Sequence, residues 1–251
     1  MLRGLFQHIP EWAGQPLRST RTLAMQMLYH GKERWCPVCE RPSRKFREYG
    51  LVPREDARCM LCGALERHRF AWLYFSRMTN LFDDTPKRML HVAPERCFEP
   101  RLRHRLGKNY ITADLLNPRA MVKMDVTDIQ YPDGYFDVIY CSHVLEHVPD
   151  DRKAMREFLR VLKPDGWAVL IVPTGPGRTF EDPSITDPSE RLKAFGQEDH
   201  VRKYGTDYVD RLRESGFKVK VSNASGLLEK SDIELMGLTP ASGEIYYCTR
   251  G

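Results

Sequence analysis

The 251-residue sequence lacks the apolar run of roughly 18 residues that a membrane-spanning helix requires. Residues 1–16, MLRGLFQHIPEWAGQP, are interrupted by glycine, histidine, proline and glutamate before the apolar segment of a secretory signal can form. The content of 41% hydrophobic and 29% charged residues is sufficient for a core and typical of a soluble chain. We therefore expect a cytoplasmic protein with one sizeable domain, alone or with a small accessory unit.

The sequence also lacks the signs of a disulfide framework, because its cysteines number seven and no secretion signal precedes them. Four of them have the spacing C-x2-C-x19-C-x2-C, in which both thiolates of a pair can face one ion, and Gly63 permits a tight turn after the second pair. Four thiolates close a tetrahedral shell, so the pattern predicts structural zinc, with rubredoxin-like iron as the alternative. The predicted ligands are Cys36, Cys39, Cys59 and Cys62.

Charge of one sign is concentrated near the N-terminus. Residues 1–70 hold 13 lysines and arginines against 7 acidic residues, whereas the rest of the chain is nearly neutral. A basic segment can attract nucleic acid, anionic lipid or a phosphorylated substrate. Phe46 and Tyr49 lie among these cations, where they either bind nucleic acid or form the small core of a metal ribbon; the second interpretation is favoured.

The sequence divides into a metal-binding region and a longer α/β region. We predict an N-terminal extension over residues 1–30, a four-cysteine zinc ribbon over 31–66, a connecting helix over 67–86 and the main domain over 87–251. In the main domain short apolar strands alternate with amphipathic helices, a pattern that builds a mostly parallel sheet with helices on both faces.

Several elements of this domain have explicit predicted bounds. Helices are expected from Pro94 to about Leu106 and over 151–166, and the third strand over 120–126. The last two strands, 218–223 and 244–250, could form a terminal antiparallel pair.

Acidic side chains end two successive predicted strands. Ligands of such sheets bind beyond the carboxyl ends of the strands. Asp114 ends the second strand, where a carboxylate is suited to binding ribose hydroxyls, and Asp125 ends the third, where it could accept from an adenine amino group. The alternative is that each acid only caps the next turn; two in succession favour a binding role.

Residues 124–173 closely resemble class I S-adenosylmethionine-dependent methyltransferases, in particular the methyltransferase type 11 group. The resemblance rests on FDVI entering the fourth strand, HVLEHVPD after it, and RVLKPDGWAVLIVP, which is similar to the family's leucine-lysine-proline-glycine-glycine hinge. It extends over about residues 87–220 and implies a Rossmann-like fold with a seven-stranded sheet that binds S-adenosylmethionine. The cofactor positions that follow are His91, Ala93, Glu95, Asp114, Leu115, Asp125, Val126, Ser142 and His143.

The stretch HVAPE, residues 91–95, departs from the family pattern of an acidic strand end followed by G-x-G-x-G. His91 takes the acidic position, and Ala93, Glu95 and Cys97 take the glycine positions. Glycine lets the backbone approach a ligand and adopt unusual φ. Its loss implies either a reshaped methionine pocket or a fold that no longer binds the cofactor. We expect the first, with Glu95 contacting the cofactor's ammonium group.

The polar segment 174–205 is rich in glycine and proline and is predicted to be a lid or substrate loop. His143 and His200 are the candidate catalytic bases, because imidazole titrates near neutrality. His147 is expected to be structural. The candidate substrate residues in the segment are Glu181, Asp182, Arg191, Gln197, Arg202 and Tyr204.

Three functions fit these observations. The leading one is a methyltransferase acting on oxygen or nitrogen of a small-molecule or glycan-type acceptor. The second is an RNA methyltransferase whose ribbon holds nucleic acid, an interpretation weakened by the nearly neutral main domain. The third is a non-catalytic binding or scaffold protein with a degenerate methyltransferase fold, favoured by the missing glycines.

Overall fold

The computed structural model describes residues 27–50 and 52–251, so most of the predicted N-terminal extension lies outside the described residues. Two small hairpins come first, followed by a helix that leads into the main domain. The first hairpin consists of β1 (Arg34–Cys36) and β2 (Arg41–Ser43), and the second of β3 (Arg47–Tyr49) and β4 (Arg54–Arg58). The helix is α1 (Glu66–Met78). The helix α1 thus begins one residue before the predicted connecting helix, 67–86, and ends well before residue 86.

The main domain alternates strands and helices as predicted. Its strands are β5 (Met89–Val92), β6 (Tyr110–Asp114), β7 (Val122–Lys123), β8 (Phe136–Ser142), β9 (Leu162–Ile171), β10 (Phe180–Glu181), β11 (Arg202–Lys203), β12 (Phe217–Asn223) and β13 (Glu244–Arg250). Its α-helices are α2 (Glu99–Leu106), α3 (Asp151–Val161), α4 (Pro188–Phe195), α5 (Tyr208–Glu214), α6 (Ala224–Leu227) and α7 (Lys230–Leu235). No helix of the described residues is long and apolar enough to span a membrane.

Seven strands form one sheet in the order β7, β6, β5, β8, β9, β13, β12. Neighbours are parallel except that β13 runs antiparallel to both β9 and β12. The predicted mostly parallel sheet and the terminal antiparallel pair are confirmed. Because the chain leaves β5 toward β6 on one side while β8 lies on the other, a crevice opens at the carboxyl ends of these strands.

The sheet has an apolar cluster on each face, because successive strand residues point to opposite sides. On β8, Val138 and Tyr140 join the cluster that contains Phe75 of α1. Ile139 joins the opposite cluster, which contains Phe158 of α3. Both faces are therefore covered, which explains why the strands are almost continuously apolar.

The predicted start of the helix after β5 was wrong. The helix begins at Glu99, so the proline in its first turn is Pro100 instead of Pro94. The chain does not enter the helix directly from β5, since Ala93 has a φ of 49° and the residues after it form a turn. The cavity described below opens at this turn.

Two other predicted bounds were too long. The third strand is reduced to Val122–Lys123, and the helix predicted over 151–166 ends at Val161. Leu162 is already extended and pairs with Phe136 on β8. The residue preceding Pro164 is biased away from helical geometry, which accounts for the earlier end.

Candidate active site and metal centre

A cavity of about 740 Å³ opens at the carboxyl ends of β5, β6 and β8. This volume is within the usual range of ligand pockets, about 300–1,000 Å³. The predicted cofactor residues that line it are Ala93, Asp114, Leu115, Asp125, Val126 and His143. His91, Glu95 and Ser142 are not among the described residues of its lining.

Asp114 and Asp125 each combine a turn-capping role with a free oxygen. Oδ1 of Asp114 accepts from the backbone N–H groups of Leu116 and Asn117, each at 2.8 Å. Oδ1 of Asp125 accepts from the backbone and hydroxyl of Thr127, also at 2.8 Å. Within the described residues neither Oδ2 has a hydrogen-bond partner, so each acid can both fix its turn and accept from a ligand.

Two residues of the cavity lining hold left-handed backbone conformations without being glycine. Ala93 has a φ of 49° and His143 a φ of 57°, and each follows a strand of the sheet. The Ala93 N–H is donated to the Ala113 carbonyl at 2.8 Å, which holds that turn against β6. Such conformations cost on the order of 1 kcal/mol for a residue with a Cβ, and they concentrate at ligand sites. Alanine thus adopts the turn that glycine permits in the family pattern.

His91 and Glu95 bind each other beneath this turn. The fully buried His91 ring contacts the Tyr110 hydroxyl through Nδ1 at 2.7 Å and the Glu95 carboxylate through Nε2. The Tyr140 hydroxyl donates to the other oxygen of Glu95 at 3.1 Å. Burial opposes ionisation of Glu95, but His91 holds the pKa of that carboxyl below its usual range. The charge expected to meet the cofactor is therefore already paired within the protein.

The two candidate catalytic bases, His143 and His200, both have a lowered pKa. Burial, assisted by the Arg67 charge, lowers the pKa of His143 to about 3. Burial and the neighbouring His147 also lower the pKa of His200. Each imidazole is therefore neutral at pH 7, but general-base catalysis is most effective when the pKa lies near the working pH. These rings are better suited to hydrogen bonding or metal binding than to proton abstraction.

Three of the candidate substrate residues belong to one internal network. Arg202 donates to the carbonyl oxygens of Leu145, Val148 and Pro149 and to the Glu181 carboxylate. These interactions clamp the chain after β8 against the predicted lid.

The same network continues to α3 and α5. Arg211 bridges Glu181 and Asp151, while the Tyr204 hydroxyl donates to Asp151 at 2.6 Å. Arg202, Tyr204 and Asp151 are buried. Since their polar groups are engaged by other residues of the fold, Glu181, Arg202 and Tyr204 hold segment 174–205 in place.

The remaining candidate substrate residues lie elsewhere on that segment. The Asp182 carboxylate caps the turn at Ser184, and Arg191 donates to the Ile185 carbonyl at 3.1 Å. Gln197 is exposed. The structure brings none of these three described residues into the lining of the strand-end cavity.

Residues that the sequence did not single out also line the cavity, including Leu116, Thr127, His147 and Lys153. His147 was expected to be structural. Its position in the HVLEHVPD motif, which follows a strand end, was the available signal that it lies at the cavity.

The four predicted metal ligands converge. The Cys36 and Cys62 sulfur atoms are 3.6 Å apart, those of Cys39 and Cys59 are 3.7 Å apart, and all four lie within 4.8 Å of one another. A tetrahedral shell with Zn–S bonds of about 2.3 Å requires sulfur atoms about 3.8 Å apart. The donor set and its geometry therefore fit a tetrahedral metal ion.

Each cysteine pair is followed by a left-handed residue that closes the turn. Gly63 has a φ of 79° and its N–H is donated to the Cys59 carbonyl. Glu40 has a φ of 54° and its N–H is donated to the Cys36 carbonyl. The sequence indicated the turn at Gly63 through its glycine. It gave no indication of the turn at Glu40, since glutamate is not typical of a left-handed position.

Arg69 connects the cysteine-rich region to the C-terminal part of the chain. Its fully buried guanidinium donates to the carbonyl oxygens of Ala57 and Ala64 on one side and of Met236 and Gly237 on the other. No carboxylate among the described residues pairs with it. The position of Arg69 makes this region part of the packed structure.

Residues 79–170 match a family model described as a methyltransferase domain, Methyltransf_11. This match confirms the predicted resemblance to the type 11 group. The matched residues form the centre of the sheet and contain most of the cavity lining. The chain thus has a Rossmann-like methyltransferase fold, and residues 79–170 have the sequence of a methyltransferase domain.

Curated relatives are similar over shorter stretches. The uncharacterized methyltransferase YcgJ of Bacillus subtilis (strain 168) is 37% identical over 75 residues, which are 30% of this chain and 28% of YcgJ. A chloroplastic 2-methyl-6-phytyl-1,4-hydroquinone methyltransferase of Oryza sativa subsp. japonica is 28% identical over 140 residues, 52% of this chain and 42% of that protein. The chain therefore spans less than half the length of either relative.

Among solved structures, an S-adenosylmethionine-dependent methyltransferase from Mesorhizobium loti aligns with a TM-score of 0.49 at 16% identity. The alignment covers 71% of this chain and 97% of that one.

Proposed function

We propose that the protein is an S-adenosylmethionine-dependent methyltransferase that methylates oxygen or nitrogen of a small-molecule or glycan-type acceptor. The observation that carries this proposal is the strand-end cavity, where two carboxylates with free oxygens follow successive strands of a methyltransferase fold. Asp114 would bind the ribose hydroxyls, and Asp125 with Val126 would bind the adenine. Ala93 and His143 would border the methionine part.

S-adenosylmethionine, when bound, supplies a methyl group on a positively charged sulfur. The chain's own contribution is to hold acceptor and donor in line, exclude water and receive the acceptor's proton. The contacts of Arg202 and Arg211 with Glu181 support this proposal, because they fasten segment 174–205 beside the cavity, where Asp199 of that segment contributes to the lining. The rice relative is named for a small-molecule hydroquinone, which supports a small-molecule acceptor.

We further propose that Cys36, Cys39, Cys59 and Cys62 hold a structural zinc ion. Four thiolates leave no coordination position for a substrate, so this ion stabilises the ribbon and takes no part in catalysis.

Titration calorimetry with S-adenosylhomocysteine tests the proposal through Asp114→Asn. Asparagine keeps a side-chain oxygen for the Leu116 and Asn117 N–H groups but removes the charge that would bind ribose. Hydrogen bonds to charged groups contribute about 1.5–3 kcal/mol, so we expect roughly 10- to 100-fold weaker binding.

The matched control is Asp165→Asn, an exposed acid near the start of β9 and outside the described lining of the cavity. It should bind the ligand like the wild type. Equal affinity of the wild type and Asp114→Asn would remove Asp114 from the site, and absence of binding in the wild type would favour the scaffold alternative.

A further inference from the structure

A second group of potential metal ligands lies beside the cavity. Glu146 and His147 belong to a 3-10 turn, Leu145–His147, immediately after β8, and His200 precedes β11. One ligand atom from each of these three residues lies within 4.8 Å of the others. The His147 and His200 rings meet edge to face, with centroids 4.7 Å apart.

The Glu146 side chain is buried beside the two histidines. The residue is only 1% exposed, and its Oε2 has no hydrogen-bond partner in the described part of the chain. A buried carboxylate oxygen left unpaired is costly, which is why such groups in proteins are usually paired or bound to metal. Neither neighbouring histidine donates to this oxygen, although one carboxylate oxygen of Glu146 lies within 4.8 Å of a ring nitrogen of each.

The backbone holds the three residues in place across more than 50 positions of sequence. The Val201 N–H is donated to the Glu146 carbonyl at 2.9 Å. Arg202 donates to the carbonyl oxygens of Leu145 and Pro149, at 2.8 and 2.7 Å. The two segments therefore form one supported unit, and rigid support of this kind is what a metal site requires.

His147 has the outer contact that metal-bound histidines commonly make. Its Nδ1 lies 3.3 Å from both the backbone carbonyl oxygen and a carboxylate oxygen of Asp199. Such a contact fixes the tautomer and leaves Nε2 with a lone pair for a metal ion. His147 also lines the cavity, so an ion bound here would be reached from it.

We propose that Glu146, His147 and His200 bind a divalent transition-metal ion at the edge of the cofactor cavity. Two imidazoles and one carboxylate suit first-row ions such as iron, cobalt or zinc and leave coordination positions open. The anionic Asp199 and the cationic Arg67 and Arg202 also act electrostatically on Glu146. Arg202 is neutralised in part by Glu181, at 2.8 Å.

The proposed metal site also indicates which acceptor atom is methylated, a conclusion that rests on the proposed methyltransferase function. An open position on the ion would bind an acceptor hydroxyl and lower its pKa. A hydroxyl activated in this way loses its proton more readily. The metal site thus favours oxygen over nitrogen as the methylated atom.

Cobalt binding tests the site without any methyl donor or acceptor. Protein whose four-cysteine site is filled with zinc is freed of loosely held metal with a mild chelator and titrated with Co²⁺ alone. We expect about one Co²⁺ per chain with a visible spectrum that lacks the intense thiolate-to-cobalt absorption, because imidazole and carboxylate are the ligands. Glu146→Gln and His200→Asn should each weaken binding at least 10-fold.

The control is His104→Asn, which removes an exposed histidine of α2 and should bind Co²⁺ like the wild type. S-adenosylhomocysteine titration of each variant shows whether it is folded and separates the two proposals. Co²⁺ binding that is absent from the wild type, unaffected by Glu146→Gln and His200→Asn, or accompanied by thiolate absorption would overturn the metal site. Failure to bind S-adenosylhomocysteine alone would overturn only the methyltransferase proposal.

Discussion

At the scale of single residues, His68 shows how burial sets protonation in this protein. It occupies the third position of α1, where its Nδ1 accepts the Leu65 backbone N–H at 3.1 Å. Since an N–H can only donate, Nδ1 carries no proton, and Nε2 is buried without a partner among the described residues. Burial lowers the pKa of His68 to about 4, and a proton on Nδ1 would break the helix cap.

His68 should therefore make folding sensitive to mild acid. Between its ordinary pKa of about 6.5 and the folded value, the unfolded chain takes up a proton that the folded chain refuses, so stability falls as pH falls. The loss at pH 5 relative to pH 7 is about 2 kcal/mol from this residue. His68→Gln can still accept the Leu65 N–H. Between pH 7 and pH 5 we expect this variant to lose about 2 kcal/mol less folding stability than the wild type. Urea unfolding at the two pH values measures the difference.

The exposed His104→Gln serves as the comparison and should keep the wild-type pH dependence. If His68→Gln and the wild type lost equal stability on acidification, His68 would be protonated in the folded state.

The cavity residues that lie at the end of a single strand were predictable from the sequence. Asp114 and Asp125 follow apolar strands, and parallel strands bring their carboxyl ends to one edge. Glu146, His147 and His200 were not predictable as a group, because tertiary contacts such as the Arg202 hydrogen bonds and the Val201 N–H bring their two segments together. Glu181, Arg202 and Tyr204 are residue types typical of a substrate site, so the sequence suggested that role. Their actual partners include Asp151 and Arg211, which lie on two separate helices and could not be identified from the local sequence.

At the scale of elements, the four-cysteine ribbon is connected to the domain by α1 and by Arg69. The five donors of a guanidinium suit several carbonyl oxygens at once, and here they join the ribbon to the segment around Gly237. A negatively charged tetrathiolate site nearby would also compensate the buried positive charge. Loss of the metal should therefore affect more than the ribbon itself.

Cys59→Ser tests this dependence. After loosely held metal is removed with a mild chelator, we expect the variant to have lost the approximately one zinc ion per chain that the wild type keeps and to unfold at lower urea concentration, because metal binding contributes to the folding free energy. Zinc content by atomic emission and unfolding followed by circular dichroism measure the two effects. Cys248→Ser, a buried cysteine of β13 outside the cluster, should retain its zinc; retention by Cys59→Ser would argue against the site.

The elements themselves were largely predictable from apolar pattern, and their ends were not. The strand over 244–250 was predicted with its observed bounds because it contains the apolar run 245–248 and lies between Gly243 and Gly251. The end of α3 at Val161 depends on the pairing of Leu162 with Phe136, and the start of α2 depends on the left-handed turn at Ala93. These are tertiary contacts that a local pattern does not contain.

At the scale of the whole molecule, the fold brings three strand ends, the turn after β8 and Asp199 of segment 174–205 to one cavity. The glycine-poor stretch HVAPE does not close this cavity, because Ala93 adopts the required turn and His91 with Glu95 packs beneath it. The account therefore rests on the cavity being the methyl-donor site despite its missing glycines.

A crystal structure of the protein grown with S-adenosylhomocysteine tests this claim most directly. We predict the ribose hydroxyls at the free oxygen of Asp114, the adenine beside Asp125 and Val126, and the homocysteine part against Ala93 and His143. A complex with the ligand bound elsewhere, or crystals in which a saturating ligand leaves this cavity empty, would contradict the account.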